Sequence, residues 1–215
     1  MARYLGPRCK ICRRFNQKLF LKGARCTIAK CAMDPSHLPQ PRNKRPGQHG
    51  EGRKAFSEYG IRLDEKQKMK SMYGVLERQF RRYFHMAQKK RTGVTGEVLI
   101  NILESRLDNI VYRMGFATSR SSARLLVKHR FVDVGGRCVD VPSYIVKPGQ
   151  VVKIRGKGKE KEHIKKSMDF AQEKGIFPWL EVAADKLEGK FLRIPERNEL
   201  PLDIKEQFIV EFYSR

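Results

Sequence analysis

A chain of 215 residues with 40% hydrophobic content holds enough apolar mass for a real core in one large or two small domains, which excludes a disordered basic tail. Its 46 Lys and Arg against 23 Asp and Glu leave a net charge of +23 and a pI near 10.1, a field suited to a polyanion and above all to nucleic acid. The apolar runs fall far short of the roughly 20 residues that cross a bilayer, and neither a lipid anchor nor a secretory leader is evident, so the expected setting is a reducing cytosol and not a membrane.

The first 33 residues contain no Asp or Glu and carry four cysteines. Cys9 and Cys12 are separated by two residues, Cys26 and Cys31 by four, and the two pairs by thirteen. In a reducing compartment this spacing suits a tetrahedral four-thiolate zinc site better than disulfides, with an iron-sulfur cluster as the alternative. Four protein ligands leave no open position, so the metal is expected to be structural. A segment this short and charged buries little apolar surface, and metal binding would supply its folding energy. The expected result is a basic knob that presents Arg3, Arg8, Lys10, Arg13, Arg14, Lys22, Arg25 and Lys30 to phosphates.

The Pro- and Gly-rich stretch "DPSHLPQPRNKRPGQHGEG" reads as a linker bearing Lys44, Arg45 and His49 as further RNA contacts. From Phe56 the pattern turns helical and stops at Gly74, with Lys68 on that helix. Leu76, Phe80, Tyr83, Phe84 and Ala87 then recur at helical spacing, opposite Arg78, Arg81, Arg82, Lys89 and Lys90. "TGEVLINILESRLDNIVYRMG" gives two core helices with Thr95 and Ser105 as N-caps and Arg113 as a candidate contact. "TSRSSARLLVKH" gives a short helix capped near Ser119 that buries Ala123, Leu126 and Val127, and exposes Arg120, Arg124 and Lys128 as one row of cations ahead of His129.

"FVDVGGRCVDV" reads as a hairpin turning at Gly135-Gly136, with Cys138 as a buried small hydrophobe in its second strand. Pro148 and Gly149 suit a type II turn before another strand. Ile164 to Glu173 reads as helix, and "KFLRIP" and "FIVEFYSR" read as late strands. Trp179 is expected in the core. No catalytic set emerges: the five histidines are scattered, and there is no G-x-S-x-G or P-loop pattern. The fold class is α+β: a metal-stabilised basic N-terminal knob, a helical domain, and a small α/β module of helices plus an antiparallel hairpin, with C-terminal strands. The expected boundaries are 1–45, 46–102 (completed by C-terminal residues), 103–166 and 167–215.

Over its entire length the chain closely resembles the bacterial ribosomal protein S4 family. The resemblance rests on "ARYLGPRCKICRR", "KCAM", "PGQHG", "EKQKMKSMYG", "ERQF", "GVTGEVL", "LESRLDNIVYRMGFATSRSSARLLVKH", "PSYIVKPG", "PWL", "GKFLRIP" and "EFYSR". It implies that the small central α/β module, 103–166, is an S4-type RNA-binding module, and that the chain is a primary binder of 16S-type ribosomal RNA that nucleates assembly of the small-subunit body in the cytoplasm. It also implies contact with ribosomal protein S5, a place near the messenger RNA entry channel and a part in translational accuracy. The chain departs from the family pattern after His129, where Arg130-Phe131 replaces the usual Gly-His and removes the easiest left-handed helix cap, and at Gly135, commonly Asn.

Two rival functions are weaker. The same small module is attached to pseudouridine synthases, and "SRLD" at Ser105 to Asp108 is similar to their catalytic motif. Asp108, however, lies inside the module, and too little chain follows for a catalytic domain. A DNA-binding zinc protein would need a C2H2 pattern or a recognition helix with a dimerising element, and neither is evident.

Overall fold

Ser57 begins the first long helix by accepting the Gly60 amide at 3.2 Å, satisfying one donor that the helix start leaves open. In the computed structural model, which describes residues 3–36, 44–48, 50, 57–90, 93–156, 162–201 and 203–214, this helix follows a shorter one. The short helix α1 (Arg8–Phe15) ends at Asn16 in the left-handed region, and α2 (Glu58–Tyr73) ends at Gly74 with φ of 63°. Next, α3 (Glu77–Lys89) buries Phe80, Tyr83, Phe84 and Ala87 and exposes Arg78, Arg81, Arg82 and Lys89, as its periodicity requires.

"FIVEFYSR" is not a strand. Its residues 208–214 belong to a helix, α8 (Glu206–Ser214), whose Ile209 is buried. Phe208, Ile209, Phe212 and Tyr213 recur at helical spacing, and the Tyr213 ring lies 4.6 Å from Phe84 and 6.3 Å from Phe80. An aromatic surface waiting on α3 overrides the strand preference of Phe, Ile, Val and Tyr.

Glu77 locks α8 in place. It accepts from Lys66 at 2.9 Å, Lys70 at 3.0 Å and the Tyr213 hydroxyl at 2.8 Å. Burial alone would raise its pKa, but these three donors outweigh burial and hold it down from 4.5 to about 2. Because the folded value lies below the unfolded one, the stabilisation is complete above pH 4.5 and is lost as pH falls toward 2. Glu77→Gln is therefore expected to lower Tm at neutral pH and to flatten its fall between pH 4.5 and 2. Parallel melting curves for variant and wild type, unchanged in slope across that window, would contradict this.

The second half of the chain forms the helices α4 (Thr95–Glu104), α5 (Leu107–Arg113), α6 (Arg120–Lys128) and α7 (Glu162–Lys174) and a five-stranded antiparallel sheet. Its strands are β1 (Val132–Val134), β2 (Arg137–Cys138), β3 (Val151–Ile154), β4 (Leu180–Ala183) and β5 (Glu188–Phe191), in the order β2-β1-β3-β5-β4. Gly135 and Gly136, with φ of 56° and 81°, make the two-residue turn between β1 and β2. At Gly189, paired with Val152, a Cβ would stand 2.7 Å from the Met114 sulfur, so any larger residue would force the buried Met114 side chain to shift. Trp179 is 2% exposed and stacks on Phe177, as expected of a core residue.

The end of α6 answers the question raised by the missing glycine. Arg130 itself takes the left-handed conformation, with φ of 60°. The Phe131 amide donates to Leu126 at 3.2 Å and the Arg130 amide to Val127 at 3.0 Å, the paired bonds of a Schellman motif. A side chain in this region costs roughly 1–2 kcal/mol that glycine avoids.

Residues Met1–Val98 and Leu202–Arg215 form one compact unit, and Leu99–Pro201 form the other. The segment expected to stand apart as 1–45 falls within the first unit, where Arg14 pairs with Asp64 at 3.4 Å and Gln17 donates to Asp203 at 2.7 Å. The segment expected as 167–215 is divided between the two units.

Candidate nucleic-acid interface

In the N-terminal segment the chain turns back after α1 through a 3-10 turn at Gly23–Cys26, which brings the cysteines of both pairs near one another. Cys12, Cys26 and Cys31 are buried and Cys9 is half-buried. Cys12 accepts the Leu19 amide, and Cys26 accepts the Lys22 amide at 3.4 Å. Burial pushes both of these thiols above the ordinary value, and the nearness of the other cysteines adds to it. Among the described residues, no three His, Cys, Asp or Glu side chains stand closed around a single point that would hold a metal ion. The donor set nonetheless fits a soft, thiolate-preferring metal: four sulfurs, two of them already held by backbone N–H groups that favour the thiolate.

Around these thiols Arg3, Lys10, Arg14, Lys22, Arg25 and Lys30 are exposed, and Arg8 and Arg13 are half-buried. Arg8 donates to the Leu21 carbonyl at 3.0 Å. Burial, with the neighbouring Arg3, lowers the Arg8 pKa. Lys44 is exposed and Arg45 half-buried, while His49 lies outside the described residues. On α3, Arg78 and Arg82 face solvent together with Arg81. This unit therefore presents two basic surfaces, one on the N-terminal segment and one on a rigid helix.

Three expected contacts point inward instead. Lys68 is 8% exposed and reaches Glu65 at 3.4 Å. Arg113 is 8% exposed and donates to both Glu104 carboxylate oxygens, at 3.1 and 2.9 Å. Arg124 is 8% exposed and lies 3.5 Å from Asp108, so the expected outward row of Arg120, Arg124 and Lys128 is broken at its centre. The reason is a carboxylate on the packed neighbour α5, which a face-by-face reading of α6 alone does not reveal.

These side chains form a buried polar layer. Asp108 is held by Arg106, which is 0% exposed, at 3.0 and 2.6 Å. Asn109 donates to Glu104 at 2.7 Å and accepts from Arg120 at 2.8 Å. Arg120 also lies 4.8 Å over the Tyr112 ring, so its half-buried guanidinium is fixed before any ligand arrives. Ser119 caps α6 by accepting the Ser122 amide at 3.3 Å. Lys128 and His129 are exposed at the other end of that helix.

Sequence reasoning passed over Arg130, Arg137, Lys147 and Arg155, all exposed on the hairpin, its flanks and the strand end. Alternation along the strands is the signal that could have found Arg137 and Arg155. Cys138 is exposed rather than buried, because β2 is a two-residue edge strand. Its sulfur lies 3.8 Å from the Arg130 carbonyl. Among the described residues no helix is long and apolar enough to cross a membrane.

Two family models match the chain: the ribosomal protein S4/S9 N-terminal domain over residues 3–104 and the S4 domain over residues 105–152. Curated relatives match over the full length of both chains. Small ribosomal subunit protein uS4 of Thermodesulfovibrio yellowstonii is 52% identical over 215 residues. The proteins of the same name from Neisseria meningitidis serogroup B and Thermus thermophilus are 50% and 48% identical over 216 residues. With mixed helices, an antiparallel sheet, solvent-facing cations on both compact units and this similarity from end to end, the chain belongs to the uS4 family of ribosomal proteins.

Proposed function

We propose that this chain is a structural protein of the small ribosomal subunit that binds the subunit's 16S-type RNA directly, nucleates assembly of the subunit body and acts in the cytoplasm. It is not an enzyme. The observation that carries this reading is identity of about half over the whole chain to proteins named for that subunit. Solvent-facing cations on ordered helices are the chemistry required: A-form RNA hides its major groove, so recognition runs through backbone, shape and unpaired bases. Asp108, the one residue that suggested catalysis, is held between two arginines in the interior.

Within this reading, Cys9, Cys12, Cys26 and Cys31 hold a zinc ion that fixes the basic N-terminal segment for RNA. The family resemblance also supports contact with ribosomal protein S5, proximity to messenger RNA at its entry channel and a part in translational accuracy.

The test compares binding of small-subunit RNA and of duplex DNA at matched salt, repeated over a salt series. Clear preference for the RNA is expected. Replacing Arg78 and Arg82 with Ala should weaken RNA binding and lower the slope of log K against log salt by about 1.5 units, without loss of stability. Equal affinity for the two nucleic acids would refute the reading.

A further inference from the structure

Arg130 occupies a strained backbone position where glycine would fit without cost, and its side chain opens onto a cleft. The cleft has a volume of about 640 Å³ and is lined by Arg130, Phe131, Cys138, Asp140, Arg155 and Gly156. That volume lies within the roughly 300–1,000 Å³ of small-ligand sites.

The charges are mixed and loosely paired. Arg130 is 73% exposed and meets Asp140 at 3.3 Å. Arg155, 51% exposed, stands 3.6 Å from Asp133 Oδ1, a buried oxygen that accepts no hydrogen bond among the described residues. The Arg155 amide donates to the Phe131 carbonyl at 3.0 Å, which ties the end of β3 to the aromatic residue. Phe131 in turn lies beside His129, with ring centroids 6.2 Å apart.

A bare anion would gain little here, because Asp140 opposes it. A nucleobase meets every group: a ring face for Phe131, N–H donors for a carboxylate, and carbonyl or ring-nitrogen acceptors for a guanidinium. Guanine offers both, with N1–H and N2–H₂ on one edge and O6 and N7 on the other. Resting on the RNA-binding reading above, we infer that this cleft takes one unpaired guanosine of the ribosomal RNA, and that the strain at Arg130 is kept in order to place its guanidinium there.

The experiment uses the full chain, a small-subunit RNA transcript and guanine-specific chemical probing at N1 and N2. Arg130→Gly is expected to raise Tm by relieving the strain, yet to weaken RNA binding at least about fivefold and to restore reactivity at one guanine that the wild type protects. Arg155→Gln should expose the same guanine without the gain in Tm. If both variants bind and protect as the wild type does, the cleft is not a nucleotide site. Saturable binding of free GMP by the wild type without RNA would overturn the proposal in favour of a free-nucleotide site. A wild type that protects no nucleotide at all would overturn the RNA-binding reading, and this inference with it.

Discussion

Asp108→Ala is expected to destabilise the compact unit of residues 99–201 by about 3–5 kcal/mol, the usual cost of removing one partner from a buried ion pair. Arg106 is fully buried and spends two hydrogen bonds on this carboxylate, and Arg124 shares it at 3.5 Å. The substitution leaves two guanidinium groups in the interior with their common counter-charge gone. Single domains are held by about 5–15 kcal/mol, so the loss approaches the whole margin. Urea denaturation measures it directly, and a midpoint unchanged from wild type would show that the pair adds no stability. Arg124→Ala should cost less, since its contact is longer, and it should leave the salt dependence of RNA binding unchanged because this cation does not face solvent.

Replacing Cys9 and Cys12 with Ser is expected to release one zinc per chain, read by elemental analysis, and to open the first 36 residues to protease while residues 99–201 stay folded. Among the described residues of this segment Leu19 is the deeply buried aliphatic side chain, and the contacts of Arg14 with Asp64 and of Gln17 with Asp203 are exposed polar ones. Protein purified under reducing, metal-replete conditions that contains neither zinc nor iron would refute the assignment. Iron in place of zinc would change the metal and not the architecture.

What was legible in the sequence follows from how local each signal is. Gly74, Ser119 and the Gly135-Gly136 turn act within three or four residues, and each stands where its chemistry places it. The aromatic stripe of α3 is a property of one helix, and it too is readable. The failures involve a second element. Arg124 turns inward because Asp108 on α5 receives it, and the last residues coil into α8 because Phe80 and Phe84 receive Tyr213. Cys138 is exposed because its strand lies at the sheet edge, a fact of topology. For the candidate interface, the cations were visible as residue types, but their division between solvent and interior pairs was not.

The placement of α8 bears on how the molecule is made. Residues 202–215 belong to the unit that begins the chain, with the whole of residues 99–201 inserted between. During vectorial synthesis the inserted unit is complete while its host still lacks a helix, so the part made first is the part closed last. Until Tyr213 arrives, Phe80 and Phe84 lack the ring that covers them, and Glu77 lacks one of its donors. A messenger cut short after residue 201 would thus yield one finished unit tethered to an open one.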